Sequence, residues 1–558
     1  MSLNMNAKVA PARVPEPISE VAATIGLEPS DFDSYGPYKA KVHLDILDRL
    51  ANAPDGKLIL VTGITPTTAG EGKTTVAVGL AQALFKMGKK ALSCTREPSL
   101  GPVFGMKGGA TGGGLASLIP MEDINLHFTG DFHAITAAHN LLSAVVDNHL
   151  HHGNQLGIDP RRIAWRRVLD MNDRALRNVV TGLGGRTQGV PRESGFDITP
   201  ASEVMAILCL ARDLADLKER LGRIIVGETF DRQPVTASDL KAHNAMTILL
   251  RDALMPNLVQ NLEHGPAIVH GGPFGNIAHG CNSNLATRLG LKLGDYVITE
   301  AGFGSDLGAE KFVNIACRAG GFAPDTVVLV ASVRALKLHG GTRKSELATE
   351  DISALNAGFP NLEKHVENIA HFGSQAIVAL NRFPTDSDAE VRTAIERCQA
   401  RGIPVAETTV YTEGTDGGNA LAEAVLHSLT TPRQQLRMVY PDEWTLKKKI
   451  EAISHQVYGA EGVSYSVSAS RTLRQLERRG FGRLPVCMAK TQYSLSDNAR
   501  LLARPTGFEI NVGEVRLAAG AGFVIPLTGA VMTMPGLPAT PAAAGMAIDA
   551  NGQVTGIS

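Results

Sequence analysis

Neither sign of charge dominates this chain of 558 residues. Lysine and arginine total 54, aspartate and glutamate total 55, and the formal net charge at pH 7 is −1. Proteins that bind a polyanion or an anionic membrane surface usually concentrate positive charge, so this balance argues against nucleic acid and membranes as partners. We expect small molecules as partners instead.

Cysteine is also scarce, and the six cysteines lie far apart without a CxxC pair. This spacing argues against a disulfide framework and against a structural zinc site. Residues 1–17 lack the apolar core of a signal peptide. Together these features favour the reducing cytoplasm as the location of the protein.

A stretch without charge, residues 517–548, lacks the continuity of a membrane helix. It is longer than the roughly 20 residues that a spanning helix needs. Glycine and proline nevertheless interrupt it at Gly520, Gly522, Pro526, Gly529, Pro535, Gly536, Pro538 and Pro541. Because these residues break helices, we expect buried strands and turns here.

Short apolar runs alternate with amphipathic stretches along most of the chain, which is the pattern of βαβ units. We therefore predict an α/β fold with a mostly parallel, P-loop-type sheet in a large N-terminal domain and two smaller α/β domains. The proposed divisions are 1–360, 361–432 and 433–558. The predicted strands are residues 57–62, 89–94, 223–226, 266–270, 295–299, 326–331, 375–380 and 404–408.

The clearest unit is strand 57–62, the loop GITPTTAGEGKTT (63–75) and a helix over 74–87. A nucleotide loop needs backbone N–H groups aimed at phosphate, a lysine for the β and γ charges, and a hydroxyl for Mg²⁺. Lys73 supplies the lysine, and Thr74 supplies the hydroxyl. The general pattern has glycine at position 67, where this chain has threonine, so an ordinary Gly-rich turn is the alternative. The predicted ATP-binding residues are Thr67, Thr68, Ala69, Gly70, Glu71, Gly72, Lys73 and Thr74.

Arg96 and Glu97 follow the predicted strand 89–94, and parallel strands end at a shared edge of the sheet. An arginine beside the γ-phosphate can hold two phosphoryl oxygens and offset the charge that develops during transfer. A surface pair between Arg96 and Glu97 is the alternative. The neighbourhood of the phosphate loop nevertheless makes Arg96 a candidate catalytic residue.

Two further groups of residues stand out. His127, Asp131 and His133 lie close together in the sequence, but without a metal-binding motif we expect loop and capping roles for the histidines. Asp131 and His133 remain able to line a substrate cleft. Aromatic residues form only 5% of the chain, so those in predicted strand-end loops are conspicuous: Phe274, Phe303, Phe383 and Tyr411. They are either packing anchors or a clamp for a flat heterocycle.

At this point the chain resembles the formate–tetrahydrofolate ligase family in its single-function bacterial form. The resemblance extends over nearly the whole chain. The motifs that carry it are YGPYKAKV, TPTTAGEGKTT, REPSLGPVFGMKGGATGGG, TGDFHAITAAHNLLSA, RVLDMNDRALR, ESGFDITPASEVMAI, GPFGNIAHGCNS, EAGFGSDLGAEKF, NRFPTD, AKTQYSLSDN and AGAGFVIPLTG.

The resemblance implies a reaction of ATP, formate and tetrahydrofolate that yields 10-formyltetrahydrofolate, ADP and phosphate through formyl phosphate. It also implies Mg²⁺ bound with ATP through Thr74, a monovalent cation such as K⁺ or NH₄⁺, and a homotetramer of three-domain subunits. The family has threonine where Thr67 stands, and commonly has tryptophan where this chain has Tyr411. The implied catalytic residues are Lys73 and Arg96, and the implied substrate-binding residues are Arg96, Glu97, Asp131, Phe303, Phe383 and Tyr411.

The sequence is also compatible with two other functions for a protein with this phosphate loop. One is another P-loop enzyme, either a dethiobiotin-synthetase-like ligase or a partition-type ATPase. The length of the chain and the loops at 300–306 and 381–384 disfavour it. The other is an interaction protein that uses ATP only as a conformational clamp. Formate-dependent product formation distinguishes both from a formate ligase.

Overall fold

The computed structural model describes residues 14–106, 109, 111–432, 434–529 and 531–557. Most of the N-terminal stretch used for the signal-peptide argument therefore lies outside the described residues. The main feature is a sheet of 12 strands. In chain order these are β1 (Phe32–Ser34), β2 (Ala40–Val42), β3 (Lys57–Gly63), β4 (Ala91–Thr95), β5 (Gly112–Gly113), β6 (Ala116–Ile119), β7 (Asn257–Asn261), β8 (Pro266–Val269), β9 (Tyr296–Gly304), β10 (Thr326–Ala331), β11 (Ala376–Asn381) and β12 (Val405–Thr408).

The strand order across the sheet is β1-β2-β7-β8-β4-β9-β3-β10-β11-β12. From β8 to β12 in this order, every neighbouring pair is parallel. β1, β2 and β7 extend the sheet with antiparallel pairs, and β6 joins β7 while carrying β5. The predicted α/β fold with a mostly parallel sheet is confirmed.

Helices cover both faces of this sheet, and β3 illustrates why. Leu58 and Leu60 pack in one buried cluster, whereas Ile59 and Val61 pack in another with helix Lys73–Lys86. Successive side chains of a strand point to opposite faces, so a strand that is covered on both faces needs an unbroken apolar run. That run is what identified the parallel strands in the sequence.

The described α-helices of seven residues or more alternate with these strands in the first part of the chain and continue beyond them. They are Ile18–Thr24, Lys73–Lys86, Asp131–His151, Glu203–Leu210, Leu214–Gly222, His243–Leu250, Asn284–Leu293, Val333–His339, Ile352–His371, Asp388–Gln399, Asn419–Ser428, Leu446–Ala452 and Val467–Arg478.

Smaller strand pairs lie outside the main sheet. The predicted strand 223–226 is found slightly later, as Ile225–Glu228, and pairs antiparallel with Pro234–Thr236. Where the uncharged segment begins, Glu514–Ala518 and Phe523–Leu527 form an antiparallel pair, in agreement with the strands and turns expected there. No helix in the described part of the chain is long and apolar enough to cross a membrane. The remaining pairs are Arg167–Leu169 with Phe196–Ile198, Val179–Thr181 with Arg192–Ser194, Gly462–Tyr465 with Glu509–Val512, and Ala547–Ile548 with Val554–Thr555.

The proposed domain divisions stay a prediction. Helix Ile352–His371 spans the first division at residue 360, and β11 and β12 extend the main sheet on its far side. The second division falls at residue 433, which lies outside the described residues. The sheet therefore unites the first two proposed domains through backbone hydrogen bonds.

Candidate active site

The phosphate loop joins the end of β3 to helix Lys73–Lys86, in the strand–loop–helix order that the sequence predicted. Gly70 and Gly72 both have positive φ angles, of 77° and 78°. Side chains with a Cβ rarely adopt this conformation, so glycine is the residue that fits it. Gly72 is the N-cap of the helix. The backbone N–H groups of the first helical turn and the positive end of the helix dipole therefore face the loop.

A carboxylate occupies the interior of this loop. Glu71 is buried, and its Oε1 accepts hydrogen bonds from Thr67 N at 2.6 Å and from Thr67 Oγ1 at 3.1 Å. Its Oε2 lies 3.6 Å from Lys73 Nζ. An N–H group and a lysine are the partners that a phosphate oxygen takes in such loops. The geometry of Thr67, Glu71 and Lys73 thus makes an anion-binding loop.

Two residues that the sequence singled out separately, Thr74 and Arg96, meet at one buried glutamate. Glu300 lies midway along β9, whose neighbours in the sheet are β4 and β3, and the pairing of β9 with β3 becomes irregular directly after it. Its Oε2 accepts a hydrogen bond from Thr74 Oγ1 at 2.8 Å, and its Oε1 lies 3.7 Å from Arg96 Nη2. Glu300 Oε1 and Arg96 Nε have no hydrogen-bond partner among the described residues. Buried polar atoms of this kind mark a place where a ligand can bind.

Arg96 follows β4 directly and turns toward the end of β9. A methyl group on Gly302 would lie 3.1 Å from Arg96 Nη1, so the guanidinium rests against the backbone beside Phe303. The alternative of a surface pair between Arg96 and Glu97 is wrong, because the ion-pair partner of Arg96 is Glu300 and Glu97 is buried.

Glu97 and Asp131 belong to a second buried polar group. Lys41 Nζ lies 2.7 Å from Asp131 Oδ1, and both side chains are buried. Asn257 Nδ2 donates a hydrogen bond of 2.8 Å to Asp131 Oδ2. Burial, followed by the charge of Asp131, raises the pKa of Glu97 well above its ordinary value. Glu97 Oε2 has no hydrogen-bond partner among the described residues.

Phe303 lies at the end of β9 with a φ angle of 63°, a conformation that is uncommon for a residue with a side chain. Strain of this kind persists only where the surrounding structure enforces it, and it concentrates at binding sites. The loop after β8 provides that enforcement, because a methyl group on Gly275 would lie 3.1 Å from the Phe303 ring. Phe303 therefore joins two strand-end loops.

Two further candidate aromatics, Phe383 and Tyr411, follow β11 and β12. The guanidinium carbon of Arg334 lies over the Phe383 ring, 4.2 Å from the ring centroid. Phe383 also lines a cavity of about 450 Å³ together with Glu407 and Thr412. Tyr411 lies in the short helix Val410–Glu413 and is 44% exposed. A methyl group on Gly113 would lie 3.2 Å from the Tyr411 ring and 3.6 Å from Thr75 Oγ1.

The structure thus brings Lys73, Thr74 and Arg96 together around Glu71 and Glu300, with Phe303 beside Arg96. Tyr411 borders the start of the phosphate-loop helix. Sequence reasoning missed Glu300 and Lys41. An acidic residue that directly follows a predicted strand was a usable signal for Glu300, since strand ends share one edge. Lys41 gave no local signal, because its partners are 90 and 216 residues away.

Comparison with known proteins agrees with these observations. A family model described as formate–tetrahydrofolate ligase matches residues 4–558. A formate–tetrahydrofolate ligase of Symbiobacterium thermophilum is 58% identical over 543 residues, which cover 97% of this chain and 98% of the relative. The similarity therefore includes the phosphate loop, the buried glutamates and the strand-end loops.

Proposed function

Because this chain belongs to the formate–tetrahydrofolate ligase family, we infer that it joins formate to tetrahydrofolate at the expense of ATP. The products are 10-formyltetrahydrofolate, ADP and phosphate. The observation that carries this inference in the structure is the meeting of Thr74 and Arg96 at Glu300, with Lys73 beside Glu71 in the adjoining phosphate loop. A phosphate loop alone indicates nucleotide binding, whereas an arginine beside it can also hold a phosphoryl group during its transfer.

Formate needs activation because its carbon is a poor electrophile and oxide is a poor leaving group. In the proposed first step, a formate oxygen attacks the γ-phosphorus of ATP in line, the bond to the β–γ bridging oxygen breaks, and ADP leaves. Formyl phosphate results. Lys73 and the N–H groups of the loop stabilise the charge that spreads over the phosphoryl oxygens.

The residues near Thr74 fit the Mg²⁺ that accompanies ATP. Thr74 Oγ1 and the Glu300 carboxylate, 2.8 Å apart, are oxygen donors of the type that Mg²⁺ prefers, and Glu300 Oε1 has no hydrogen-bond partner among the described residues. We assign Thr74 and, through water, Glu300 to this ion. When bound, Mg²⁺ supplies positive charge beside the β- and γ-phosphates.

In the proposed second step, the arylamine nitrogen of tetrahydrofolate attacks the formyl carbon. The bond from this carbon to the phosphate oxygen then breaks, and the departing phosphate can take the proton from nitrogen. Arg96 holds the phosphate of formyl phosphate and stabilises the oxyanion that forms in between. Phe303, Phe383 and Tyr411 offer aromatic faces for the pterin.

The monovalent cation, K⁺ or NH₄⁺, is assigned to the group around Glu97. Glu97 and Asp131 are both buried, and Lys41 forms its ion pair with Asp131, so ionisation of Glu97 would add a buried negative charge that this ion pair does not compensate. A cation beside the unpartnered Glu97 Oε2 would supply that compensation.

A homotetramer and a cytoplasmic location are further proposals that rest on the family alone.

The test is a mixture of the protein with ATP, Mg²⁺, formate and tetrahydrofolate, acidified to convert the product into the methenyl chromophore. We expect formate-dependent absorbance. The variant Lys73→Met is expected to lose at least about a hundredfold of this turnover, the scale of removing an electrostatic anchor from a transition state. Absence of formate-dependent absorbance contradicts the ligase function and favours an ATP-switched protein or another P-loop enzyme. Normal turnover of Lys73→Met contradicts the role of the lysine.

A further inference from the structure

The phosphate loop and the tetrahydrofolate loop, by which we mean residues 303–309 (the last two residues of β9 and the helical turn Ser305–Ala309), leave the sheet side by side. β3 and β9 are parallel neighbours, and Gly63 at the end of β3 pairs with Gly304 at the end of β9. Thr65 comes two residues after β3, and Ser305 comes directly after β9. One loop leads to the ATP-binding residues and the other carries the proposed pterin contact. Their relative position therefore sets how far apart the two substrates lie.

A single histidine contacts both loops. His365 lies in helix Ile352–His371 and is buried. Its Nε2 lies 2.9 Å from Thr65 Oγ1, and its Nδ1 lies 2.7 Å from Ser305 Oγ. Each ring nitrogen thus has one hydroxyl partner, and each hydroxyl belongs to a different loop.

The imidazole suits a bridge between two hydroxyl groups. Burial lowers the pKa of His365 to about 4, so the ring is neutral near neutral pH. A neutral imidazole has one N–H donor and one acceptor nitrogen, and a hydroxyl can donate or accept. Both hydrogen bonds can therefore form at once, with one hydroxyl donating to the ring and the other accepting from it.

The ring has little room to move relative to either loop. A methyl group on Gly304 would lie 3.0 Å from His365 Cε1, so the end of β9 touches the ring edge. One turn earlier in the same helix, Asn361 accepts a hydrogen bond from Thr65 N at 3.2 Å and donates one to Thr65 Oγ1 at 2.9 Å. The helix therefore holds the start of the phosphate loop through two side chains.

We propose that His365 is a positioning residue that fixes the ATP loop relative to the tetrahydrofolate loop. It acts on the ATP site through Thr65 and on the folate site through Ser305 and the neighbouring Phe303. The inference rests on the proposed function, because that function assigns the two loops to their substrates. It adds a residue, remote from the reacting atoms, that controls how the two halves of the site are aligned.

Two substitutions separate the two contacts of the ring. Glutamine places its amide near the position of Nε2, and asparagine places its amide near that of Nδ1. We expect His365→Gln to keep the KM for ATP within about twofold and to raise the KM for tetrahydrofolate about five- to tenfold, the equivalent of one neutral hydrogen bond. We expect His365→Asn to raise the KM for ATP about five- to tenfold and to keep the KM for tetrahydrofolate within about twofold. Steady-state kinetics with each substrate varied in turn measures both.

Two further variants guard against general destabilisation. Ser305→Ala removes only the hydroxyl on the folate side, and we expect it to reproduce the His365→Gln result. His139 is a matched control, because it is buried and its Nδ1 lies 2.8 Å from Ser202 Oγ, yet it contacts neither loop. His139→Gln is expected to leave both KM values unchanged while lowering the melting temperature.

The possible failures are distinct. If the wild-type protein is active but His365→Gln and His365→Asn raise both KM values alike, or neither value, the positioning role is wrong and the ligase function stands. An unchanged tetrahydrofolate KM in Ser305→Ala also contradicts it. A wild-type protein that makes no 10-formyltetrahydrofolate overturns the proposed function, and this inference with it.

Discussion

Glu300 connects the two halves of the proposed chemistry at the scale of single residues. Its carboxylate accepts a hydrogen bond from Thr74, which belongs to the nucleotide side, and faces Arg96, which belongs to the formyl phosphate side. Glu300 is buried, so these two interactions act in a medium of low dielectric and are stronger than they would be in water. A group of this kind orients others without reacting itself.

We predict that Glu300→Gln lowers kcat/KM for formate about ten- to a hundredfold, the range found for partners that orient groups at a metal or reaction site. The amide keeps the shape of the side chain but removes the charge that faces Arg96. Formate kinetics and a Mg²⁺ titration of turnover measure the effect, and we expect the Mg²⁺ requirement to rise.

Glu228→Gln is the matched control for this change. Glu228 is also a strand glutamate beside arginine, since it pairs with Arg162 and Arg479, but it lies in the peripheral pair Ile225–Glu228 with Pro234–Thr236. Its substitution should leave the kinetics for formate and Mg²⁺ unchanged. Equal effects of the two substitutions would mean that the result reflects a lost ion pair in general.

Residues of the site differ in how far the sequence reveals them. Lys73 and Thr74 were predictable because a phosphate loop is a local pattern in which spacing defines the chemistry. Glu300 and His365 were not assigned, because each depends on contacts with residues far away: Thr74 is 226 residues from Glu300, and Thr65 is 300 residues from His365. Such contacts exist only once the strand order is known.

At the scale of elements, the parallel strands of the main sheet were predictable, whereas its antiparallel strands β1, β2 and β7 were not. β3, β4, β8, β10 and β11 are buried on both faces and form nearly continuous apolar runs in the sequence. β2 contains Lys41 and β7 begins with Asn257, two polar residues that are buried and hold Asp131. These polar residues break the apolar pattern of β2 and β7, so the sequence did not predict either strand.

The junction of loop and helix at Gly72 gives a prediction at this scale. Alanine in the left-handed conformation costs about 1–2 kcal/mol. At Gly72 the new methyl group would in addition lie 2.4 Å from Asn381 Nδ2, which donates a hydrogen bond to Glu71 O. We expect Gly72→Ala to lower the melting temperature in the absence of nucleotide and to weaken ATP binding at least about tenfold, measured by thermal scans and calorimetry.

Gly70→Ala provides the comparison for this change. Gly70 has a similar φ angle, of 77°, but no atom lies within 4 Å of the position of a methyl group there. The Gly70→Ala variant is therefore destabilised only by the left-handed backbone conformation. Its melting temperature should fall less than that of Gly72→Ala. When Asn381 is also replaced by alanine, the melting temperatures of the Gly70→Ala and Gly72→Ala proteins should become similar. A Gly70→Ala protein as unstable as Gly72→Ala would exclude the contact with Asn381 as the cause.

At the scale of the whole molecule, the C-terminal part of the chain is joined to the catalytic part by buried polar contacts. Lys490 forms a buried ion pair with Asp306, in the helical turn that follows β9, and Asn361 donates a hydrogen bond of 2.7 Å to Ala503 O. Glu203 Oε1 accepts hydrogen bonds from Gly520 N at 2.7 Å and from Ala521 N at 3.2 Å. These contacts cross the proposed domain divisions, which the sequence placed by composition alone.

Glu203 makes the stability of this arrangement depend on pH. Burial raises its pKa to about 7, from an ordinary value of 4.5, although the two backbone donors favour the ionised form. Between these two values the folded state binds a proton that the unfolded state has lost, so the free energy of unfolding falls as pH rises from about 4.5 to 7. One such group accounts for up to about 3 kcal/mol.

We predict that Glu203→Gln removes its share of this decline, because the amide oxygen still accepts the two hydrogen bonds but does not titrate. Melting temperatures from pH 5 to 8 should therefore fall less steeply in the variant than in the wild type. A residual slope is expected, since burial also raises the pKa of Glu310 to about 7. Glu219→Gln, on an exposed part of helix Leu214–Gly222, should keep the wild-type slope. If the Glu203→Gln protein also kept the wild-type slope of melting temperature against pH, the proton on Glu203 would not contribute to the docking of the C-terminal segment.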